Sequence, residues 1–335
     1  MPTSSLMILI FSTVGDPSTL DVMKWIKHLS NAKVVRINAD ETYRVDLTFS
    51  EDDFHIRVDD DAFCLADVSS VWLRKGDFWF RGLFTPVVAP GSSALSSHLS
   101  HKLQREDRNL RDHFHYVLQK RCAVLGSAKG SSPNKLVVLE HAREVGLRTP
   151  PFSVSTSRQH AQRLLESDCT YVSKAMSDGL YLFDSSESKA GYFTYTEALE
   201  PHSLVGVGER MAPSFLQRYI EKKFELRIFF LDRMFLAVAI FSQADEQTRV
   251  DYRRYNVEKP NRVIPFRLPQ EIVHKLSLLS DRLGLNTGSI DMIVDKEGQF
   301  YFLEVNPVGH FGAHSESCNL SIERLIAERL LAYEQ

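Results

Sequence analysis

Asp291, Glu304 and Asn306 are spaced so that hard oxygen ligands can converge. They lie in the stretch 288–307, where two β-rich runs flank the polar turn 295–298, a hairpin signal. Strict alternation on the second run puts Phe302, Glu304 and Asn306 on one face, with Tyr301, Leu303 and Val305 on the other. With the loop centred between Lys296 and Glu297, Asp291 pairs opposite Phe302, one diagonal step from Glu304 on the same face. Two carboxylates and an amide oxygen suit Mg²⁺, which in enzymes usually accompanies nucleotide phosphates. Glu304 also sits inside an apolar run, where a carboxylate without a partner is costly and a metal ion would relieve the cost.

Cationic side chains of the phosphate-binding kind precede this hairpin. Ser132-Pro133 reads as a helix start, and Lys135 then falls in the first turn, where a lysine opposes the helix dipole and suits a phosphate better than it suits the helix. Lys174 ends a predicted strand over 170–175. It is followed by two β-rich patches around 180–184 and 191–196, which read as a lid whose tip, 184–188, lacks apolar anchors. Arg249, Arg253, Arg254, Lys259, Arg262 and Arg267 form a basic passage interleaved with tyrosine and asparagine. Single-stranded RNA binding is one reading; a phosphate pocket is preferred, because the passage lies just before the hairpin. Arg74, in a β-rich segment before a glycine turn, either binds an acidic substrate group or makes a salt bridge.

The elements that must position these groups are legible in outline. The opening is a β-α-β unit: an apolar run to Phe11, helical spacing over 20–29, then a strand over 34–37, so a doubly wound N-terminal domain is expected. No GxGxxG follows the first strand. Helical patterns recur over 93–121, where Leu99, Leu103, Leu110, Phe114 and Val117 share a face, and over 133–145, 157–166, 269–283 and 322–331. Strands flank Asp232-Arg233 as a tight hairpin. The chain has 335 residues, 43% hydrophobic and 25% charged, with a net charge of -3. That is a two- or three-domain globular composition with no global drive toward nucleic acid or an anionic membrane. Cysteines 64, 122, 169 and 318 form neither a CxxC pair nor a zinc spacing and read as the thiols of a reducing cytoplasm. Cys318, close to the hairpin, is a weak candidate nucleophile. The N-terminus lacks the pattern of a signal peptide, and the apolar runs are short of a membrane span.

In order, Lys135, Lys174, Gln217-Arg218-Tyr219-Ile220, Glu225-Leu226-Arg227, Ser289-Ile290-Asp291 and Leu303-Glu304-Val305-Asn306-Pro307 resemble the motifs of the ATP-grasp ligase superfamily. The resemblance implies an α/β chain: an ATP-grasp fold with an N-terminal doubly wound pre-ATP-grasp domain over 1–125. A central subdomain with the lid would span 126–205, and a C-terminal subdomain with the Mg²⁺ hairpin 206–335. It implies that Lys135 and Lys174 contact ATP phosphates, that Gln217, Tyr219 and Ile220 belong to the adenine hinge, and that Glu225 holds the ribose. Asp291, Glu304 and Asn306 would hold Mg²⁺, and Arg253 would act at the transferred group. Ser289 stands where ligases of the D-alanine type carry arginine, which favours a branch using Arg253.

A narrower likeness is to the graspetide synthetases, the microviridin-type and grasp-with-spasm maturases. It rests on the opening run, Trp72-Leu73-Arg74-Lys75-Gly76-Asp77, Asp251-Tyr252-Arg253-Arg254-Tyr255-Asn256 and Cys318-Asn319. It implies a cytoplasmic homodimer that uses ATP and Mg²⁺ and acts on a ribosomal precursor peptide with a leader and an acidic core. Asp or Glu side chains would become acyl phosphates and close ω-ester or ω-amide rings with Ser, Thr or Lys, with Arg74, Arg227 and Arg253 as substrate arginines. The alternative is a glutamate-ligase-like enzyme acting on free amino acids or a protein C-terminus.

Overall fold

A computed structural model describes residues 7–50, 53–75, 79–81, 83, 93–127, 133–177, 181–183, 191–193, 195–254 and 256–332. The chain divides into two compact units, Met1–Gly130 with Ser321–Gln335, and Ser131–Leu320.

In the first unit, β1 (Met7–Ser12), α1 (Pro17–Leu29) and β2 (Lys33–Asn38) form the expected β-α-β opening. Then come β3 (Val45–Ser50), β4 (Asp53–Val58) and β5 (Asp61–Cys64), an antiparallel meander. The unit continues with β6 (Val68–Leu73), α2 (Ser93–Arg121) and β7 (Ala123–Gly126). The sheet is parallel throughout, in the order β2-β1-β6-β7. β1 is buried on both faces, which is why its sequence is an unbroken apolar run. Leu9 and Phe11 face a core shared with Phe54 and Ile56 of the meander and with Phe114, Val117 and Leu118 of α2. The chain's last helix, Ile322–Leu331, assigned by sequence order to the C-terminal segment, packs instead on α1 and β6, and Ser70 Oγ donates to Leu330 O at 2.9 Å.

Asp16 caps α1, accepting from Ser18 N at 3.1 Å, and it is the partner of Arg74, whose Nε lies 2.8 Å from Asp16 Oδ2. Both side chains are almost fully buried, at 3% and 0% exposure. Of the two sequence readings of Arg74, the salt bridge is therefore the one with a visible partner. The guanidinium holds the α1 cap, and its role toward an acidic substrate has no support from this geometry. Gly76 and Asp77, which end the same motif, lie outside the described residues.

The second unit begins with α3 (Lys135–Glu144). Its cap is Asn134, whose side chain accepts from Leu136 N and Val137 N, and not Ser132, which lies outside the described residues. Asparagine is as good a cap as serine, and Pro133 precedes it rather than opening the helix. β8 (Phe152–Ser157), α4 (Arg158–Leu165), β9 (Tyr171–Lys174), β10 (Tyr181–Phe183), β11 (Gly191–Phe193), β12 (Glu197–Leu199) and β13 (Arg210–Arg218) follow. They build an antiparallel sheet of order β12-β9-β13-β8 and a separate β10-β11 hairpin. Next are β14 (Lys222–Leu231), β15 (Met234–Phe241), α5 (Glu246–Arg249), β16 (Arg262–Phe266), α6 (Gln270–Leu283), β17 (Thr287–Asp295), β18 (Phe300–Asn306) and α7 (Gly312–Ser317). These strands form a five-stranded sheet of order β16-β15-β14-β17-β18.

One face of that sheet is apolar. Leu226, Ile228 and Phe230 of β14 with Ile290, Met292 and Val294 of β17 share a core with Val138 and Leu139 of α3 and Leu276 and Leu279 of α6. The intervening residues, among them Glu225, Arg227, Ser289 and Asp291, point to the opposite face. Among the described residues, no helix is long and apolar enough to cross a membrane.

Asp16→Ala would remove both the cap and the buried counter-charge of Arg74. It should destabilise the first unit by about 3 kcal/mol, read as a lowered urea midpoint at unchanged slope.

Candidate functional site

Three strands carry the site in one transverse row. Arg227 on β14 pairs with Asp291 on β17, which pairs in turn with Glu304 on β18. The expected hairpin is present, but its register is shifted. Val294 pairs with Phe300 and Met292 with Phe302, then Asp291 pairs with Glu304, so Leu303 is an extra residue, a β-bulge. Asp291 is thus directly opposite Glu304, not opposite Phe302. The bulge also re-phases the faces. Phe302 and Val305 both enter the apolar core, while Glu304 and Asn306 both stand on the polar face. The strict alternation read from the sequence would have left Glu304 on the side of Phe302, in hydrocarbon.

Cations from distant elements surround the two carboxylates. Arg227 Nη1 donates to both oxygens of Asp291, at 2.8 and 2.9 Å, and its Nη2 donates to His310 O at 3.1 Å. Lys135, first residue of α3, places Nζ 3.1 Å from Glu304 Oε2 and donates to Ala175 O at 2.6 Å. Burial would raise the pKa of Glu304, but Lys174, Lys135 and Arg253 outweigh it and hold the group at about 2. Burial pushes the Lys174 ammonium down to about 8, with Lys135 and Arg253 adding to the effect and Glu304 and Asp291 opposing it. Lys174 also lies over the Phe215 ring, 5.7 Å from its centroid.

Arg253 is gripped by Asp251, with Nε 2.8 Å from Oδ1 and Nη2 2.6 Å from Oδ2. Asp251 Oδ2 also accepts from Thr196 N, 3.1 Å away, just before β12. The rest of the basic passage is largely tied down locally. Arg249 approaches Glu246, Arg254 pairs with Glu197 at 2.9 Å, and Arg262 lies over Phe241. Such pairing suits a built loop better than an open surface for RNA. The tip of the expected lid, 184–188, lies outside the described residues.

In the segment expected to form the hinge, Gln217 is 3% exposed, and its Nε2 has no hydrogen-bond partner among the described residues. Tyr219 N donates to Thr170 O at 2.8 Å. Tyr219 and Ile220 line an open cavity of about 780 Å³ with Thr170, Glu221 and Tyr301, whereas Gln217, Glu225, Lys174 and Glu304 do not line it. Glu225 is buried, which raises its pKa, and is held by Lys222 Nζ at 2.8 Å and by Ser242 Oγ at 2.7 Å. Asn306 Oδ1 accepts from Val308 N at 3.0 Å.

The second unit thus contains every candidate site residue except Arg74, and it adds several that the sequence reading passed over. Asp251 was visible in the Asp-Tyr-Arg motif but uncredited. Lys222, the partner of Glu225, had no sequence signal. Gly309 is required by close approach, since a Cβ there would lie 2.5 Å from Ser289 Cβ and 2.8 Å from Arg227 Nη2. Cys318 is 8% exposed and packs with Val238 and Ile240, which makes it part of a core and not an open nucleophile.

The donor set fits Mg²⁺ and phosphate. Two carboxyl groups stand opposite each other with an amide oxygen two residues on, and four basic side chains, Lys135, Lys174, Arg227 and Arg253, surround them. Gln217 Nε2 is a buried donor with no acceptor among the described residues, the kind of group that a bound ligand satisfies.

Solved structures of the same architecture match nearly the whole chain. The RiPP-associated ATP-grasp ligase of Chryseobacterium gregarium, in complex with ADP and a leader and core peptide, aligns with a TM-score of 0.76 at 24% identity, covering 98% of each chain. The macrocyclase MdnC of Microcystis aeruginosa, bound with precursor peptide MdnA, gives 0.73 at 23% identity, covering 98% of this chain and 100% of its own. The ATP-grasp ligase PsnB, complexed with minimal precursor, Mg and ADP, gives 0.69 at 16% identity over 97% and 96%. No protein-family model and no curated protein sequence matches the chain. The α/β chain therefore has the ATP-grasp fold.

Two outcomes follow from this geometry. Gly309→Ala forces Ser289 and Arg227 apart and should cost about 1–3 kcal/mol, read by urea unfolding, with partial recovery on adding Ser289→Gly. Lys174 has a folded-state pKa near 8, below its ordinary 10.5. Between those values the unfolded chain binds the proton that the folded chain has lost, so stability rises with pH across that window. Lys174→Met should abolish that rise, seen by comparing urea midpoints of the two proteins at both ends of the window.

Proposed function

We propose that this chain is an ATP-dependent ligase that activates Asp or Glu side-chain carboxylates of a ribosomally made precursor peptide as acyl phosphates. It then closes ω-ester or ω-amide macrocycles with Ser, Thr or Lys. The observation that carries this reading is the Arg227–Asp291–Glu304 row flanked by Lys135, Lys174 and Arg253. The row sits in a fold whose solved relatives were crystallised with ADP and precursor peptides.

Asp291, Glu304 and Asn306 would hold Mg²⁺, which supplies neutralising charge to the phosphate oxygens. Lys135 would exchange its contact with Glu304 for a phosphate oxygen, and the same anion would hold Lys174 in its charged form. Gln217 and Tyr219 bind the base and Glu225 the ribose. Arg253, fixed by Asp251, keeps part of its guanidinium exposed for the acidic side chain of the core peptide. Arg227, already committed to Asp291, shapes the floor beneath that carboxylate.

In the first step a substrate carboxylate oxygen attacks the γ-phosphorus, the bond to the β-bridging oxygen breaks, and ADP leaves. In the second, a hydroxyl or amine attacks the acyl carbon and the carbon–oxygen bond to phosphate breaks. The departing phosphate takes the nucleophile's proton. The β10–β11 hairpin is the lid in this reading and excludes water from the acyl phosphate. Exposed Leu95, Leu99 and Tyr116 on α2 offer a face for the homodimer. The peptide, ATP and Mg²⁺ are the partners; no nucleic acid or membrane takes part, and the enzyme works in the cytoplasm.

The test is the intact mass of a small peptide encoded beside this gene, co-expressed with the protein. The expected result is loss of one or more waters. Glu304→Ala should lower it by at least about 100-fold, on the scale of losing one preorganised electrostatic group, with the fold intact by circular dichroism. Full modification by that variant would overturn the reading. An unchanged peptide together with ADP release on free amino acids would favour the amino-acid ligase.

A further inference from the structure

The meander of the first unit assembles a second set of ligand-type side chains, and nothing in the ligase chemistry uses them. Asp53 and His55 are two apart on β4, so they share a face. His55 pairs directly with Cys64 across the β4–β5 ladder. One ligand atom from each of Asp53, His55 and Cys64 lies within 4.8 Å of the others, the sole such group among the described residues. His55 Nδ1 and Cys64 Sγ are 2.9 Å apart. The sequence offered no zinc spacing because the ligands come from two strands and are brought together by register alone.

We propose that Asp53, His55 and Cys64 form a binding site for one borderline-soft divalent transition ion, zinc by preference, which staples β4 to β5. A tetrahedral zinc ion with sulfur and nitrogen ligands holds them about 3.5 Å apart. The cross-strand pair therefore needs to open by about half an ångström, which side-chain rotation supplies. Asp53 is pre-oriented for the task. Its Oδ1 accepts from Phe54 N at 2.8 Å and from Arg121 Nη1 at 3.2 Å, while among the described residues Oδ2 has a single long contact, with Ala66 N at 3.4 Å, which makes Oδ2 the more available oxygen.

The local field also suits a cation. Asp53 lies within reach of the Cys64 sulfur, and Asp67 Oδ2 accepts from Cys64 N at 3.3 Å, so two carboxylates stand beside the thiol. Arg121 opposes this from the far side of Asp53, which limits affinity without blocking the ligands. On binding, the metal–sulfur bond forms as the thiol proton passes to buffer. His55 is exposed, leaving the fourth position to water. Thiolate and imidazole select zinc over Mg²⁺, so this site and the oxygen-only site of the second unit would not compete for the same ion.

The test is titration of the metal-free, full-length protein with Co²⁺, followed by Zn²⁺. We expect one Co²⁺ per chain to give a thiolate-to-cobalt charge-transfer band with the visible bands of a four-coordinate ion, all erased by Zn²⁺. The bands should be lost in Cys64→Ser and in His55→Ala, each keeping the wild-type circular dichroism. Zn²⁺ should raise the Tm of the wild type and not that of either variant. His55 is exposed, so its variant decides the matter even if the Cys64 change disturbs the fold. Absence of the charge-transfer band in the wild type, or its persistence in either variant, would overturn the proposal. Co²⁺ at the oxygen site of the second unit gives no such band, so that site cannot mimic a positive result.

Discussion

Glu304 stands directly across a β-ladder from Asp291, and two carboxylates at that spacing are accommodated because cations enclose them. Arg227 takes both oxygens of one, Lys135 contacts the other, and the charge of Lys174 acts on it as well. The cations depend on the carboxylates in turn. Lys135 occupies the first position of a helix, where the dipole disfavours it, and Lys174 is buried deeply enough to lose much of its basicity. No member of the group is stable alone in its place. Together they form a cluster whose charges a polyanion and a divalent ion can rearrange without desolvating anything new.

A single inserted residue makes this possible. The five-stranded sheet buries one face against α3 and α6 and leaves the other polar. On a regular β18, Phe302, Glu304 and Asn306 would share a face, so either the phenyl ring would leave the core or the carboxylate would enter it. The bulge at Leu303 removes that conflict: Phe302 and Val305 stay in hydrocarbon while Glu304 and Asn306 reach the polar face. Gly309 then lets the chain after β18 pass close enough to Arg227 for His310 O to accept from its guanidinium.

The two units handle buried charge in different ways. In the second, Arg227, Asp291, Lys135 and Glu304 are paired and still partly exposed. In the first, Arg74 and Asp16 are sealed together at a helix cap, and their role is structural. An arginine next to tryptophan in a β-rich segment reads the same way in either setting. Only its depth below the surface separates a ligand from a staple.

The sequence determined the residue types and the order of elements. The β-α-β opening, the hairpin around Asp232-Arg233, the helices over 270–283 and 322–331, and the gathering of oxygen side chains at 291, 304 and 306 on one hairpin all follow from periodicity and turn chemistry. These are local properties and need only neighbours in the chain. Tertiary structure decided the rest: the bulge that sets Asp291 opposite Glu304, the Arg227–Asp291 pair across β14 and β17, the contact of Lys135 with a residue 169 positions away (304 − 135), and the last helix packing with the first unit. Register and partner choice are settled by which packing buries the apolar face of a whole sheet. No stretch of sequence carries that information alone, because a one-residue shift leaves local propensity unchanged and reverses every side chain.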